Sequence, residues 1–463
     1  MMKKAKLCLL FVPVLSAIIL SSCGGTSGGG GGGGDEEGTV TLNVATMSGS
    51  EEVTTMNNFI NNYKKLPGKE KVNFKIIKIT NYDDYIYNSF MYKDLPDIIP
   101  VFDYSCEYYT NVVQDKEGNT LLQPLSSYMT RDGINEDIFF ESILDITKCK
   151  DGSEEMYWVP RDYNKVVCAY NKYIFDAAGI AYPTDNWTWE DFVSVCNKLK
   201  KSFKDSNAIK TYTKSSTFYP VDINMNFPAV YYPILKSYGI ELVDKETRTC
   251  FGGKTEEAKT VWGKLLSLID DGLANDIVSK IPFTNKQAAM MFIVRPNLPN
   301  YVKGLGETAI DFVTMPKYTD LPTGKTVSYV GMGCSGYGMT TACTDNKKDA
   351  AWDFLKYIIS EEGQNVFSEI GSGIPCLKAL ATSEDAVFKK YLVTDSYHPN
   401  HNAFVAEPER DIRMDYLNGF EVEKHIDITK YIKDRTLYQI YKAKDRDAYY
   451  ENYKSLMEKI WAN

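Results

Sequence analysis

Few side chains in this sequence are of types and spacings that do chemistry. It holds three histidines, His398, His401 and His425, all near the C-terminus. His398 and His401 stand three apart in a Pro- and Asn-rich stretch without an H-E-x-x-H pattern, which reads as a surface loop rather than a metal site. Gly331, Gly333 and Gly336 match G-x-G-x-x-G. A dinucleotide site needs a helix directly after the third glycine and an acid about 20 residues further on. Here Tyr337 to Thr340 continues as extended chain and the next helix starts only near Asp345. Such glycines suit a crossing between domains or a close approach to a ligand. Gly25-Thr26-Ser27-Gly28-Gly29 matches a nucleophile elbow, but a polyglycine run supplies neither the strand nor the helix that an elbow needs. Carboxylates are abundant, so paired acids for glycoside chemistry stay open, though no pair stands out. Apart from Cys8 and Cys23, eight cysteines remain (Cys106, Cys149, Cys168, Cys196, Cys250, Cys334, Cys343 and Cys376), with no C-x-x-C among them. Zinc-ribbon, iron–sulfur and thioredoxin-like readings therefore lack their spacing. Cys168 and Cys196 sit in apolar runs, as buried free thiols do. We expect no catalytic residue, no metal and no cofactor.

The bulk properties bound the class. The 463 residues are 44% hydrophobic and 24% charged, an ordinary globular composition long enough for two or three domains. With 52 lysines and arginines against 61 aspartates and glutamates the net charge is −9, which argues against a nucleic-acid partner. Lys3, Lys4 and Lys6 precede an apolar stretch from Leu7 to Leu20, too short for a membrane span and shaped like a secretory leader. Leu20-Ser21-Ser22-Cys23 resembles the bacterial lipoprotein box. That resemblance implies removal of residues 1–22, taking the net charge to −12, and lipid on Cys23. Residues 23–38, dominated by glycine, form a tether of about 20 Å reach.

The remaining chain must supply elements that position a site. Val40, Leu42 and Val44 alternate as a strand, and Ser48 stands three residues before Glu51, a capping-box spacing. Val53, Met56, Ile60 and Tyr63 then follow at helical spacing. Further strands run through Val72, Phe74 and Ile76 and over Ile98 to Phe102. This order predicts an α/β sheet. Thr188 caps a helix opening with Glu190 and Asp191. Another helix carries Ala258, Val261, Trp262, Leu265, Leu268 and Ile269, stopped by Gly272. A third, from Asp349, buries Ala351, Phe354, Leu355, Ile358 and Ile359. Trp187, Trp189 and Trp352 read as core. The tail from Ala381 ends in an aromatic segment (Tyr449, Tyr450, Tyr453, Trp461), read as a lobe-packing helix.

At this point the residues resemble a family. Leu95-Pro96-Asp97-Ile98-Ile99, Tyr157-Trp158-Val159-Pro160-Arg161-Asp162, Tyr170-Asn171-Lys172, Gly179-Ile180, Pro183 and Thr188-Trp189-Glu190-Asp191-Phe192 follow one another as in bacterial extracellular solute-binding proteins of family 1. These are the maltose-binding-protein-like receptors of ABC importers. Ala289-Met290, Tyr329-Val330-Gly331-Met332-Gly333, Ala351-Trp352-Asp353-Phe354-Leu355, Ser360-Glu361-Glu362-Gly363-Gln364 and Gly373-Ile374-Pro375 extend the resemblance to about residue 380. It implies an α/β, two-lobe periplasmic-binding-protein-like fold (type II), with a ligand cleft between lobes joined by hinge crossings. Residues 39–163 plus 331–375 would form lobe 1, and 166–328 plus 378–463 lobe 2. It further implies a lipid-anchored, extracytoplasmic monomer that captures an oligosaccharide and hands it to the transmembrane subunits of an ABC permease. The same fold could serve as a ligand-sensing partner of a signalling receptor, and a surface polysaccharide hydrolase or lyase is the enzymatic alternative.

In open α/β sheets ligands sit outside the carboxyl ends of strands. That rule selects Ser48 and Ser50 after the first strand, and Asp103 and Tyr104 after the third. The crossing places Arg161, Asp162 and Asn164 on the cleft wall, with Tyr329 at the return crossing. Asn224, Asn226, Tyr231 and Tyr232 form a polar–aromatic cluster in the second lobe. Planar polar groups and rings suit sugar hydroxyls and C–H faces. Where relatives often carry a stacking tryptophan after the Ala-Met pair, this chain has Phe292 to Asn297. Arg295 and Asn297 are the ligand candidates there, and arginine would suit an acidic glycan.

Overall fold

The computed structural model describes residues 39–463, apart from 104–105, 107–108, 111–117, 149–154, 245, 277–280, 414–436 and 463. Residues 1–38 with Cys23, and also Tyr104, Cys149 and His425, lie outside the described residues, as does the Trp461 side chain. In chain order the strands are β1 (Val40–Met47), β2 (Val72–Ile79), β3 (Ile98–Phe102), β4 (Val159–Pro160), β5 (Asn164–Lys165), β6 (Val167–Asn171) and β7 (Tyr219–Asp222). They continue with β8 (Val243–Asp244), β9 (Thr249–Cys250), β10 (Ala288–Ile293), β11 (Ile310–Val313), β12 (Val330–Gly333), β13 (Ser335–Met339) and β14 (Asp411–Ile412).

Two sheets carry the two lobes. In the first, the order is β2-β1-β3-β13-β4. β1 runs parallel to β2 (Val40 opposite Val72) and to β3 (Val44 opposite Ile98), whereas β13 arrives antiparallel to β3 (Ser335 opposite Phe102). Helices Ser50–Tyr63 and Asp345–Ile358 cover it, burying Met56, Phe59, Phe354 and Leu355. The expected capping box at Ser48 does not form. Ser48 donates its amide to Ile79 O and so prolongs the β1–β2 ladder, leaving Gly49 as a cap without a side chain. At Thr188 the box does form, with Asp191 reciprocating.

The second sheet has the order β11-β6-β10-β7. β10 reads AAMMFI and is buried on both faces, as a central strand must be. Its residues divide by alternation: Met290 and Phe292 face helices Trp189–Asp205 and Thr255–Asp270, while Met291 and Ile293 face Leu298, Phe388 and Phe404. Trp187, Trp189 and Trp352 are core residues, as read from sequence. Helix Arg446–Ala462 packs Tyr453 on Phe251 and Tyr450 against Trp262, the lobe-packing role expected of the tail. The helix carrying Val261 and Leu265 ends before Gly272, which adopts φ +63°.

A third sheet, β14-β12-β5, lies where the chain passes between the other two. The outward crossing runs β4, β5, β6, and the return runs β12, β13. Met332 pairs with Lys165 and Gly333 with Asn164, while Val330 pairs with Asp411. Six cysteines are free and buried (Cys168, Cys196, Cys250, Cys334, Cys343, Cys376). Cys106 is disulfide-bonded.

Candidate ligand cleft at the hinge

A cavity of about 220 Å³ opens where the three sheets meet. The carboxyl end of β3 brings Asp103, β5 brings Asn164, and the return crossing supplies its floor from Gly331 to Ser335. The second lobe closes it with Phe227 and Ala229 at the start of helix Pro228–Ser237, and with Val294 and Pro296 just past β10. The location obeys the strand-end rule that the sequence invoked.

The glycines of the G-x-G-x-x-G stretch make this geometry possible. A Cβ on Gly331 would overlap Ala229 O, one on Gly333 would overlap the Asp103 carboxylate, and one on Gly336 would overlap Val159 O. They serve close chain approach rather than a phosphate. The chain after Gly336 continues as β13, and the next helix is Asp345–Ile358.

The cavity's polar groups are few. Asn164 donates from Nδ2 to Asp162 Oδ1 at 2.9 Å, while its Oδ1 is buried without a hydrogen-bond partner among the described residues. Asp103 is half-buried and donates its amide to Cys334 O at 3.3 Å. Phe227 presents a half-buried ring at the N-cap of its helix. Polar residues and a ring in a mostly apolar recess can orient hydroxyls and cover a C–H face.

Arg161 and Asp162 stand behind this wall. The Arg161 guanidinium reaches Glu52 Oε2 at 2.6 Å, Asp162 Oδ2 at 2.8 and 2.9 Å and Ser335 Oγ at 2.8 Å, above the Phe367 ring. Burial alone would lower its pKa, but the carboxylates of Glu52 and Asp162 outweigh that and hold it charged, with a pKa well above the usual value. Asp162, fully buried, also accepts from the Ser335 amide and hydroxyl. Glu52 sits on helix Ser50–Tyr63, Ser335 on β13 and Asp162 in the connection from β4 to β5, so this network ties the crossing to the first sheet's layer.

Other expected site residues fall elsewhere. Ser48 and Ser50 are exposed at the start of helix Ser50–Tyr63, and Asn224 and Asn226 are exposed in the loop after β7. Tyr231 and Tyr232 are buried instead: Tyr231 packs edge-on against Trp262 and the Tyr232 hydroxyl donates to Glu241. Starting a helix at Pro228 points both rings into the second lobe's core. Arg295 is also fully buried. It donates to Gly371 O (2.9 Å), Phe388 O (2.7 Å) and His401 Nδ1 (2.8 Å), caged by the rings of Phe388, Tyr391 and Phe404. Asn297 is exposed, and Tyr329 is half-buried with its amide on Ser237 Oγ at 2.8 Å. Sequence reasoning missed Phe227, Val294, Pro296 and Ser335. The Phe227-Pro228 step was a usable signal, since proline opens helices and leaves the preceding residue at the cap.

Two α/β lobes joined by crossing strands, with a cavity at the crossing, define a type II solute receptor. This chain belongs to the bacterial extracellular solute-binding protein family, whose model matches residues 48–365. Its fold is similar to that of the sugar-binding protein MalE from Xanthomonas citri (TM-score 0.68, 14% identity, covering 91% of this chain and 98% of that one). It is similar also to an ABC substrate-binding protein from Listeria monocytogenes in complex with cycloalternan (TM-score 0.65, 16% identity, covering 92% and 99%). A third is the maltose/maltodextrin-binding domain MalE from Bdellovibrio bacteriovorus bound to maltotriose (TM-score 0.63, 14% identity, covering 92% and 100%). No functionally curated sequence matches the chain.

Proposed function

We propose that this protein is an extracytoplasmic receptor, lipid-anchored through Cys23, that captures an oligosaccharide at the hinge cavity and delivers it to the transmembrane subunits of an ABC importer. It does no chemistry on its ligand. The observation that carries the reading is the cavity itself, which joins Asp103, Asn164 and Phe227 from both lobes in one recess. Sugars present hydroxyls and apolar C–H faces together, and such a recess meets both. The neighbours bound to cycloalternan and maltotriose support the same class. Lobe 1 comprises residues 39–163 and 331–375, and lobe 2 residues 166–328 and 378–463. Arg295, the arginine that would suit an acidic glycan, is engaged by the protein, which favours a neutral ligand.

The test is a thermal-shift screen of residues 24–463 against neutral oligosaccharides, uronates, amino sugars and peptides, with mass spectrometry of each ligand afterwards. A ligand at 100 times its Kd stabilises the folded state by about 2.7 kcal/mol. Neutral glycans are expected to raise the Tm and to emerge intact. Cleavage of any glycan would replace the receptor by the hydrolase or lyase, and a response to peptides alone would remove carbohydrate.

A further inference from the structure

β5 gives the hinge sheet two residues, and neighbours on a strand face opposite ways. Asn164 lines the cavity. Lys165, 2% exposed, lies on the other face, its Nζ 2.7 Å from Asp411 Oδ1 on β14. The same ammonium donates to Ala406 O at 2.5 Å and Glu407 O at 2.9 Å, and Asp411 Oδ2 accepts the Tyr163 hydroxyl at 2.5 Å. Asp411 lies beyond the stretch that the family model matches. The segment leading to it first packs on the second sheet: the Asn400 amide donates to Asp311 Oδ1 at 2.7 Å and Phe404 stands 4.9 Å from Phe312. It then returns to the hinge and pairs beside Val330. One buried ion pair thus fastens the first crossing to a late segment already fixed on the second lobe.

A buried ion pair is a poor stability device, because an apolar pair of like volume often does as well. What it supplies is direction. We propose that Lys165 and Asp411 are positioning residues for ligand binding: the pair fixes β5, and with it Asn164 and the separation of the lobes, by clamping the segment 400–411 behind the cavity wall. Ligand on one face of the hinge sheet is then coupled to the grip of that segment on the other. The proposal rests on reading the cavity as the binding site, although the distance measurement below needs no ligand.

The discriminating variant is the double replacement Lys165→Met with Asp411→Leu, which strands no buried charge as either single replacement would. Spin labels at the exposed positions Asn57 and Lys198, on helices of different lobes, report the interlobe distance. Maltotriose is the ligand probe. The wild-type chain should show one narrow distance distribution, and the variant a broader one with weaker maltotriose binding, by about ten-fold, at a nearly unchanged urea midpoint. An unchanged distribution overturns the proposal, whatever the midpoint does, because the pair would then be structural only. If maltotriose fails to bind even the wild type, that result counts against the proposed ligand class, and the distance distribution decides the role of the pair by itself.

Discussion

Arg161 and Arg295 show how one residue type takes opposite roles once buried. Arg161 is neutralised by Glu52 and Asp162, whereas Arg295 has neutral acceptors and three rings, and burial lowers its pKa to about 9. The sequence shows both as arginines near a crossing, and their burial is decided by segments more than 70 residues away. That is why the site was only partly legible: Asp103 followed from a strand end and Asn164 from the crossing, but the fate of Arg295 depended on Phe388 and His401. Arg161→Met leaves Asp162 buried without its cation, and urea unfolding should report a loss of about 3–5 kcal/mol. Asp222, at the end of β7, gives a pH signature. Burial outweighs its bond from the Phe283 amide and raises its pKa from 3.8 to about 6. The folded state therefore holds this proton more tightly than the unfolded chain does. Stability from this group is full below about pH 4 and is lost as pH rises to 6, by roughly 3 kcal/mol. A urea-midpoint profile over that range should show the fall, and Asp222→Asn should flatten it.

At the scale of elements, period and punctuation read well. Alternation in β1 and the apolar run of Ile98 to Phe102 fixed the parallel core of the first sheet, and Thr188 with Asp191 marked a helix start that the structure confirms. Ser48 had the same spacing and failed, since its amide was already taken by Ile79 across the ladder, a pairing no local pattern reveals. β13 was legible only as extended chain; its place between β3 and β4 depends on glycines that admit neighbouring backbone. Gly336 is the sharpest case, lying against Val159 O and the Trp158 ring. Gly336→Ala should push β4 away from β13 at a cost of about 1–3 kcal/mol, read as a lower Tm. If the cavity floor moves with it, glycan affinity falls as well. Phe227→Ala is the complementary change: it removes a half-buried ring at a helix cap without opening the core. Calorimetry with the best-binding glycan should then show a loss of about 1–2 kcal/mol in affinity, with little change in Tm.

The whole molecule raises the question of what holds it at a membrane. No helix among the described residues is long and apolar enough to cross one. With residues 1–22 removed, as the proposed anchor requires, the net charge is −12, so an anionic surface would repel the body as a whole. The lipid proposed on Cys23 would supply the retention. Each buried methylene contributes about 0.8 kcal/mol, yet a single myristoyl chain holds a protein only reversibly, and stable anchoring needs a second signal. Polybasic help is missing next to the anchor, where Asp35, Glu36 and Glu37 follow the glycines. On that proposal the second signal is more acyl chain on the same residue. Mass spectrometry of the N-terminal peptide should find Cys23 carrying at least two chains. Cys23→Ser should move the protein from the membrane fraction to the soluble one while glycan affinity stays at the wild-type value. A soluble wild type would remove the anchor altogether, and a membrane-bound wild type with a single chain on Cys23 would show that retention depends on contacts of the body with a membrane partner instead.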